Sequence, residues 1–242
     1  MGEASRLSVR RELAPVATRS RSDYARRVNG EGQSRPWWTA VIITAGSARQ
    51  AERYEAEVQR RLESGRVPEG VHYLTVPDPG GVRIGSGGAT LNALAAMAQS
   101  GFMPTDPAAL EDWWRTQRIF IIHSGGDSRR LPEYSLSGKL FSALPVRTPW
   151  GDVSTVFDEM LAFSTAWASR LASGLLVASG DVVLSFDPTQ LDWSRPGVCG
   201  VAMRETVARG SAHGVFVTDD THRVYSFLQK PTADQVQAAG GL

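Results

Sequence analysis

Lysine is almost missing from this sequence: of the 26 lysines and arginines, only Lys139 and Lys230 are lysines. Cysteine is scarcer still, because Cys199 stands alone, and this excludes an intrachain disulfide or a cysteine-rich metal site. No apolar run reaches the ~20 residues that span a bilayer, and the first residues lack the apolar stretch of a secretory signal. The net charge is only +1, which favours neither nucleic acid nor a membrane surface as partner. These absences together predict a cytoplasmic protein.

What the sequence does contain is typical of a folded, globular protein. Hydrophobic residues make up 42% of the chain and charged residues 21%, so disorder is not expected for most of it. A coding bias can replace lysine by arginine wherever a solvated positive charge is sufficient. Lysine is a compact ammonium on a flexible stem, whereas arginine is a planar, forked donor. The positions that keep lysine are therefore candidates for a functional point charge.

Residues 1–36 differ in composition from the rest of the chain. They hold eight arginines and four acidic residues, and they show no sustained apolar periodicity. This composition predicts a disordered, arginine-rich leader. Residues 37–242 are predicted to form the folded domain.

In residues 37–242, short apolar runs rich in β-branched residues alternate with amphipathic segments. The runs predict strands and the segments predict helices, which together indicate an α/β fold with a Rossmann-like, mostly parallel sheet flanked by helices. Glycine-rich turns follow the strands, so they are expected at the carboxyl edge, where open α/β sheets bind ligands. The predicted strands are 40–45, 72–76, 118–123, 174–179 and 198–203, with a hairpin at 215–218 and 224–228; the predicted helices are 49–62, 91–99 and 157–172.

The segment SGGDSRRLPEYSLSGK, residues 124–139, follows a predicted strand directly. Its glycines, Gly125 and Gly126, let successive N–H groups form a concave nest for phosphate. Arg129, Arg130 and Lys139 add positive charge at a spacing that is not the P-loop pattern. The chemistry that this arrangement suits is an in-line attack on a polyphosphate, in which the protein supplies position and charge. Two alternatives stay open: the glycines form a plain turn, or the arginines are a solvated surface pair.

Two further places carry residues suited to phosphate and metal chemistry. Gly85-Ser86-Gly87-Gly88 form a glycine-rich turn before a helix, where free N–H groups can bind an anion, although the turn can also simply open the helix. Asp181 follows a buried strand, and a carboxylate there suits Mg²⁺, which uses one or two carboxylates together with substrate phosphates. The alternative for Asp181 is a turn aspartate that accepts hydrogen bonds from its own backbone.

Five motifs in one order carry a resemblance to a known family. They are TAG at 44–46, RIGSGGATLNAL at 83–94, GGDSRRLP with GK at 125–139, ASGD at 178–181, and HGV with FLQKP at 213–231. Together they resemble the sugar nucleotidyltransferases, and in particular the fucose-1-phosphate guanylyltransferase family, whose domain occurs alone or at the front of bifunctional fucokinase proteins. Several linked motifs are far more specific than any single one. The resemblance covers roughly residues 37–242.

The resemblance implies a glycosyltransferase-A-like fold and a role for each matching residue. Arg130 would stabilise charge at the α-phosphate, Lys139 would neutralise the triphosphate or the sugar phosphate, Asp181 would bind Mg²⁺, and Lys230 would approach the sugar phosphate. The remaining matches imply binding of nucleotide and phosphates by Gly85, Ser86, Gly87, Gly88, Gly125, Gly126, Ser128 and Arg129, and of substrate by His213 and Gly214.

The sequence departs from the family pattern at two positions: Pro132 falls one residue early, and Gln229 replaces a glutamate before Lys230. In relatives the domain continues beyond the position of Leu242, so the chain is expected to be incomplete at that end. No glycine- and serine-rich kinase loop occurs, so any kinase is expected on a C-terminal domain or a separate chain.

The reaction that the resemblance implies is attack of a sugar 1-phosphate, fucose 1-phosphate, on the α-phosphate of GTP, with release of pyrophosphate. Two hypotheses from other classes remain. A nucleotide-binding module without turnover would keep the glycines but would not need Asp181 or Lys230. A nicotinamide-dependent oxidoreductase is disfavoured, because the glycine spacing lacks the dinucleotide fingerprint.

Overall fold

The computed structural model of the chain describes residues 3–31, 36–125, 138–194 and 196–240, with side chains from residue 14 onward. The chain divides into two compact units, Met1–Ser194 and Arg195–Leu242, and each is described by itself. The predicted site residues Gly126, Ser128, Arg129 and Arg130 lie outside the described residues.

A four-stranded parallel sheet forms the centre of the first unit, which confirms the predicted α/β class. The four strands are β1 (Ala40–Ala45), β2 (His72–Pro77), β3 (Arg118–His123) and β6 (Gly174–Ser179). They lie in the order β2-β1-β3-β6, and all neighbouring pairs are parallel. β1 is fully buried, as expected for an Ala-Val-Ile-Ile run that pairs on both edges and is covered on both faces.

Two hydrophobic clusters cover the two faces of the sheet, because side chains alternate along each strand. Val41 and Ile43 of β1 belong to one cluster, with Tyr54 of helix α2 (Ala48–Glu63) and Leu161 of helix α5 (Val156–Ala168). Ile42 belongs to the other, whose buried members include Ala93 and Met97 of helix α3 (Gly85–Gln99). Both faces are therefore closed by helices, which leaves the strand ends as the place for a polar site.

The structure corrects the disordered leader that the composition predicted. Helix α1 (Glu3–Val28) packs against α5, and Tyr24 and Ser20 are 2% and 3% exposed. Arg21 donates to Glu159 of α5 at 2.6 Å, and the Tyr24 hydroxyl donates to the Arg66 carbonyl at 3.0 Å. The buried stripe includes a serine at its centre and carries few large apolar residues, so it does not register as a hydrophobic pattern. The expected boundary at residue 36 consequently lies inside the first unit.

The remaining elements of the first unit lie before β3 and between β3 and β6. Helix α4 (Pro107–Trp114) precedes β3, and an antiparallel ribbon of β4 (Ala143–Arg147) and β5 (Val153–Thr155) leads into α5. A capping box starts α5, because Thr155 accepts from the Asp158 backbone while the Asp158 carboxylate accepts from the Thr155 backbone. Trp167 lies on the buried face of α5.

The second unit is built around the predicted hairpin. It contains α6 (Val207–Gly210), β7 (Gly214–Thr218), β8 (Val224–Gln229) and α7 (Ala233–Ala238), and β7 pairs with β8 antiparallel. The strand predicted over residues 198–203 is wrong: these residues are not in a strand, and Val198 and Met203 are exposed. An apolar run becomes a strand only where a neighbour pairs with it, and periodicity alone does not reveal the neighbour. Among the described residues, no helix has both the length and the apolar character to cross a membrane.

Candidate functional site

The carboxyl edge of the sheet has one point where the strand order reverses. From β1 the chain proceeds to β2 on one side, and from β3 it proceeds to β6 on the other. Open α/β sheets bind ligands at such a switch point. Here the turns after β1 and β3 touch, because a Cβ on Gly46 would lie only 2.7 Å from the Gly125 carbonyl oxygen. Glycine at position 46 is therefore required by the close approach of two backbones.

His123, the last residue of β3, is held by hydrogen bonds to both ring nitrogens. Its Nδ1 lies 3.2 Å from Thr44 Oγ1, and its Nε2 lies 3.0 Å from Thr90 Oγ1. Thr90 donates its own proton to the Ser86 carbonyl at 3.0 Å, so it accepts from His123, which places the ring proton on Nε2. Thr44 accepts from the Ser124 N–H at 3.3 Å and donates to Nδ1. This series of hydrogen bonds links the exit of β3 to the first turn of α3.

His123 is consequently a neutral residue whose two ring nitrogens are both hydrogen-bonded. Burial lowers its pKa below the ordinary value, and the nearby Asp78 carboxylate opposes that shift. Asp78 follows β2, and burial raises its pKa, with Arg83 and His123 acting in the other direction. The geometry therefore does not favour His123 as a general base. His123 instead fixes neighbouring hydroxyl groups.

Lys139 and Asp181, which the sequence predicted at one site, lie together at this edge. Lys139 Nζ is 3.5 Å from Asp181 Oδ2, and the side chains are 35% and 50% exposed. Ser179, the last residue of β6, donates to Asp181 Oδ1 at 2.6 Å. This hydrogen bond, followed by the Lys139 ammonium, lowers the pKa of the Asp181 carboxyl. Asp181 is thus an ionised, solvent-accessible carboxylate beside the Lys139 ammonium.

The glycine-rich segment before α3 is part of the helix, which corrects the predicted loop. Gly85 is the first residue of α3, and the residue at the cap, Ile84, makes no side-chain hydrogen bond to the helix. Residues 85–87 are exposed, whereas Gly88 packs against Ile84 and Ala89 is buried. The first turn of α3 therefore presents backbone to solvent, and three of its four residues lack a Cβ.

Lys230, His213 and Gly214 belong to the second unit. The Lys230 N–H donates to the His213 carbonyl at 2.8 Å, so the two predicted residues are neighbours, and Gly214 pairs with Gln229 at the start of the hairpin. Lys230 has a φ of 49°, a left-handed conformation that a lysine adopts only when its surroundings impose it. The hairpin thus fixes the backbone of Lys230 in an uncommon geometry.

Sequence reasoning missed the importance of Tyr54, Asp78 and His123 as neighbours of the site. Tyr54 lies on a helix with no motif around it, and Asp78 reads as a turn residue. Two surface depressions of about 250 and 550 Å³ lie elsewhere, one between α1 and α5 and the other around Trp38, Thr39, Gln117 and Arg118 at the amino ends of the strands. The polar residues named above converge at the opposite edge, and we place the site there.

The fold and this edge define an α/β protein in which glycine turns, hydroxyl groups, the Lys139 ammonium and the Asp181 carboxylate lie near a topological switch point. Residues 111–242 match the family model of the fucose pyrophosphorylase domain. The chain belongs to the fucose pyrophosphorylase family.

The relatives found are all longer than this chain. It is 34% identical to a bifunctional fucokinase/GDP-fucose pyrophosphorylase of Arabidopsis thaliana, over 95% of this chain and 24% of that protein. It is 31% identical to the fucose-1-phosphate guanylyltransferases of Mus musculus and Homo sapiens, over 83% of this chain and 34% and 33% of theirs. The chain therefore spans about a quarter to a third of these proteins. No solved structure matches it.

Proposed function

We propose that the carboxyl edge of the sheet binds a nucleoside triphosphate, GTP, and that the protein transfers its nucleotide to fucose 1-phosphate. An oxygen of the sugar phosphate attacks the α-phosphorus, the bond from that phosphorus to the bridging oxygen breaks, and pyrophosphate leaves. Family membership supports the choice of base and sugar, because relatives carry the names fucose-1-phosphate guanylyltransferase and GDP-fucose pyrophosphorylase.

The observation that carries the proposal is the pairing of Lys139 with Asp181 beside the switch point. In a nucleotidyl transfer the protein mainly supplies position and opposite charge at the polyphosphate. Lys139 provides the compact ammonium for this purpose, and Arg130 is its proposed partner at the α-phosphate. Gly125 and Gly126 are proposed to receive the phosphates with Ser128 and Arg129, and residues 85–88 to receive the nucleotide.

Asp181 is suited to hold Mg²⁺ with the substrate phosphates. Its carboxylate is ionised because its pKa is lowered, and half of its side chain is exposed, which leaves room for a hydrated cation. When bound, Mg²⁺ neutralises phosphate charge. A cation would also take over from Lys139 as the partner of Asp181, which frees the ammonium for the phosphates.

The second unit is proposed to supply the sugar phosphate contacts through Lys230, His213 and Gly214. The left-handed backbone at Lys230 supports this role, since strain of about 1–3 kcal/mol persists where the surrounding structure imposes it, often at functional sites. A kinase domain, if the natural protein has one, is proposed to act separately and to provide sugar 1-phosphate.

The test is a panel of nucleoside triphosphates and sugar 1-phosphates with detection of pyrophosphate, run on this chain and on a longer form that continues past residue 242. Asp181→Asn is the diagnostic variant and Asp187→Asn is its control, because the Asp187 carboxylate accepts hydrogen bonds from the N–H and the hydroxyl of Thr189 in a turn. We expect Asp181→Asn to lose pyrophosphate release by at least about 100-fold, the scale for removing one preorganised charge contact.

The outcomes separate the proposal from its rivals. GTP binding that survives Asp181→Asn, together with no pyrophosphate release by any form, would indicate a non-catalytic nucleotide module. Thermal protection by NAD but not by GTP with Mg²⁺ would indicate an oxidoreductase. Equal activity of the two aspartate variants would remove Asp181 from the site.

A further inference from the structure

Tyr54 is a buried side chain of α2 that directly contacts the edge of the sheet. Its hydroxyl donates to the Ser124 carbonyl at 2.9 Å and lies 3.0 Å from Ser124 Oγ. Ser124 is the first residue after β3, at the switch point. Burial raises the pKa of Tyr54 to about 12, so the phenol is a neutral hydrogen-bond donor at physiological pH.

The same tyrosine supports the turn that carries Lys139. Gly138 has a φ of 67° and packs so closely on the phenol that a Cβ there would overlap the hydroxyl oxygen and lie 2.7 Å from Cζ. On the other side of Lys139, the ring of Phe141 packs against the ring of Tyr54 with centroids 5.3 Å apart. Lys139 is therefore flanked by two residues that both rest on Tyr54.

We infer that Tyr54 is a positioning residue that ties the exit of β3 to the turn 138–141 and so sets the place of the Lys139 ammonium. The inference rests on the proposed function, because the place of Lys139 matters for turnover only if a triphosphate binds beside it. Gly138 completes the arrangement. Its left-handed backbone and its missing Cβ are both needed for the turn to reach the phenol.

Two other tyrosines, the buried Tyr24 and the partly buried Tyr73, show what a purely structural role would look like. The hydroxyl of Tyr24 donates to the Arg66 carbonyl at 3.0 Å, and that of Tyr73 donates to the Pro68 carbonyl at 3.3 Å. Each therefore satisfies a backbone oxygen, as Tyr54 does. What distinguishes Tyr54 is its contact with Gly138 and Phe141, which lie on either side of Lys139 along the sequence. Removal of the hydroxyl should consequently affect stability in all three tyrosine variants, but only the loss of the Tyr54 hydroxyl should displace Lys139.

The chain offers an internal reference for the test, since Lys139 and Lys230 are its only lysines. Tyr54→Phe, Tyr24→Phe and Tyr73→Phe are each treated with an amine-acetylating reagent, and the labelling of Lys139 relative to Lys230 is read by mass spectrometry. We expect this ratio to change by at least about threefold in Tyr54→Phe and not in the controls, which is the lower range for losing one buried hydrogen bond. Gly138→Ala, in which Tyr54 is intact, should change the ratio in the same direction.

The kinetic measurement complements the chemical one. In the form of the protein that releases pyrophosphate, Tyr54→Phe should lower kcat about three- to tenfold with little change in KM for the triphosphate, because the ammonium is displaced but not removed. Tyr24→Phe and Tyr73→Phe should keep wild-type kcat at temperatures where they are folded.

The two hypotheses fail in different ways. If the wild-type protein releases no pyrophosphate with any substrate pair, the proposed function is wrong, while the labelling ratios still decide the role of Tyr54, since acetylation needs no substrate. If Tyr54→Phe and Gly138→Ala both keep the wild-type labelling ratio, the positioning role is wrong, whatever the enzyme does. Melting temperatures of all variants establish that the folded state is being labelled.

Discussion

Replacing Lys139 by methionine should separate stability from activity more sharply than any other single change in this chain. The substitution keeps an unbranched side chain of similar length and removes the charge. Among the residues that the structure describes, the ammonium pairs with Asp181 at 3.5 Å, and both side chains are partly exposed. Exposed ion pairs contribute about 0.2–1 kcal/mol, so the free energy of unfolding should fall by no more than about 1 kcal/mol.

The expected effect on turnover is much larger. If Lys139 balances charge that develops on the phosphates, its loss should cost about 2.7–4 kcal/mol of transition-state stabilisation, which corresponds to a 10²- to 10³-fold lower kcat. The prediction is that the loss of transition-state stabilisation is several times larger than the loss in the free energy of unfolding. A residue that served packing or solubility would show changes of similar, small size in both measurements.

Urea unfolding and pyrophosphate release, both in the form that shows turnover, provide the assay. Arg115→Met is the control, because Arg115 is exposed and pairs with Glu111 one turn away on α4. Lys139→Arg asks whether a charge alone is sufficient, and we expect it to recover only part of the activity, since a planar guanidinium is not a compact ammonium. Turnover of Lys139→Met within threefold of wild type would refute the reasoning, as would a loss of stability several times the expected value.

Three further predictions concern the surroundings of the site. Arg61→Ala should lower the free energy of unfolding by about 3–5 kcal/mol in urea titrations, because buried Arg61 pairs with Asp158 and Glu57. The control is Arg60→Ala, which removes an exposed partner of the same Glu57 and should cost under about 1 kcal/mol. Gly46→Ala should weaken GTP binding in calorimetry, because its Cβ would push against the Gly125 carbonyl; unchanged affinity would contradict the close approach. The lowered pKa of His123 contributes stability that is complete above its ordinary pKa of 6.5 and is lost as pH falls through the folded value. The free energy of unfolding of His123→Gln should therefore fall less steeply between pH 7 and 5 than that of the wild type. An identical slope would mean that His123 charges freely in the folded state.

Much of the fold was predictable because its strands are apolar on both faces. The bounds of β1, β3 and β6 agree with the predicted 40–45, 118–123 and 174–179 at both ends. The predictions were wrong where the apolar pattern of the sequence does not reflect how the residues pack. The buried stripe of α1 includes a small polar residue, Ser20, so its pattern predicts disorder although the segment is a packed helix. The apolar run 198–203 lacks a paired neighbour and is not a strand.

By itself, the sequence determined the class of fold and the family, and it predicted Lys139 and Asp181 at one site. These follow from local patterns: apolar runs mark buried strands, and motifs that end parallel strands must meet at one edge. Only the tertiary structure decided what holds them there. The contacts of Tyr54 with Ser124, Gly138 and Phe141 join positions far apart along the chain, and His123 connects β3 to α3 through hydroxyl groups. Such contacts depend on the register of packed elements, which no short stretch of sequence encodes.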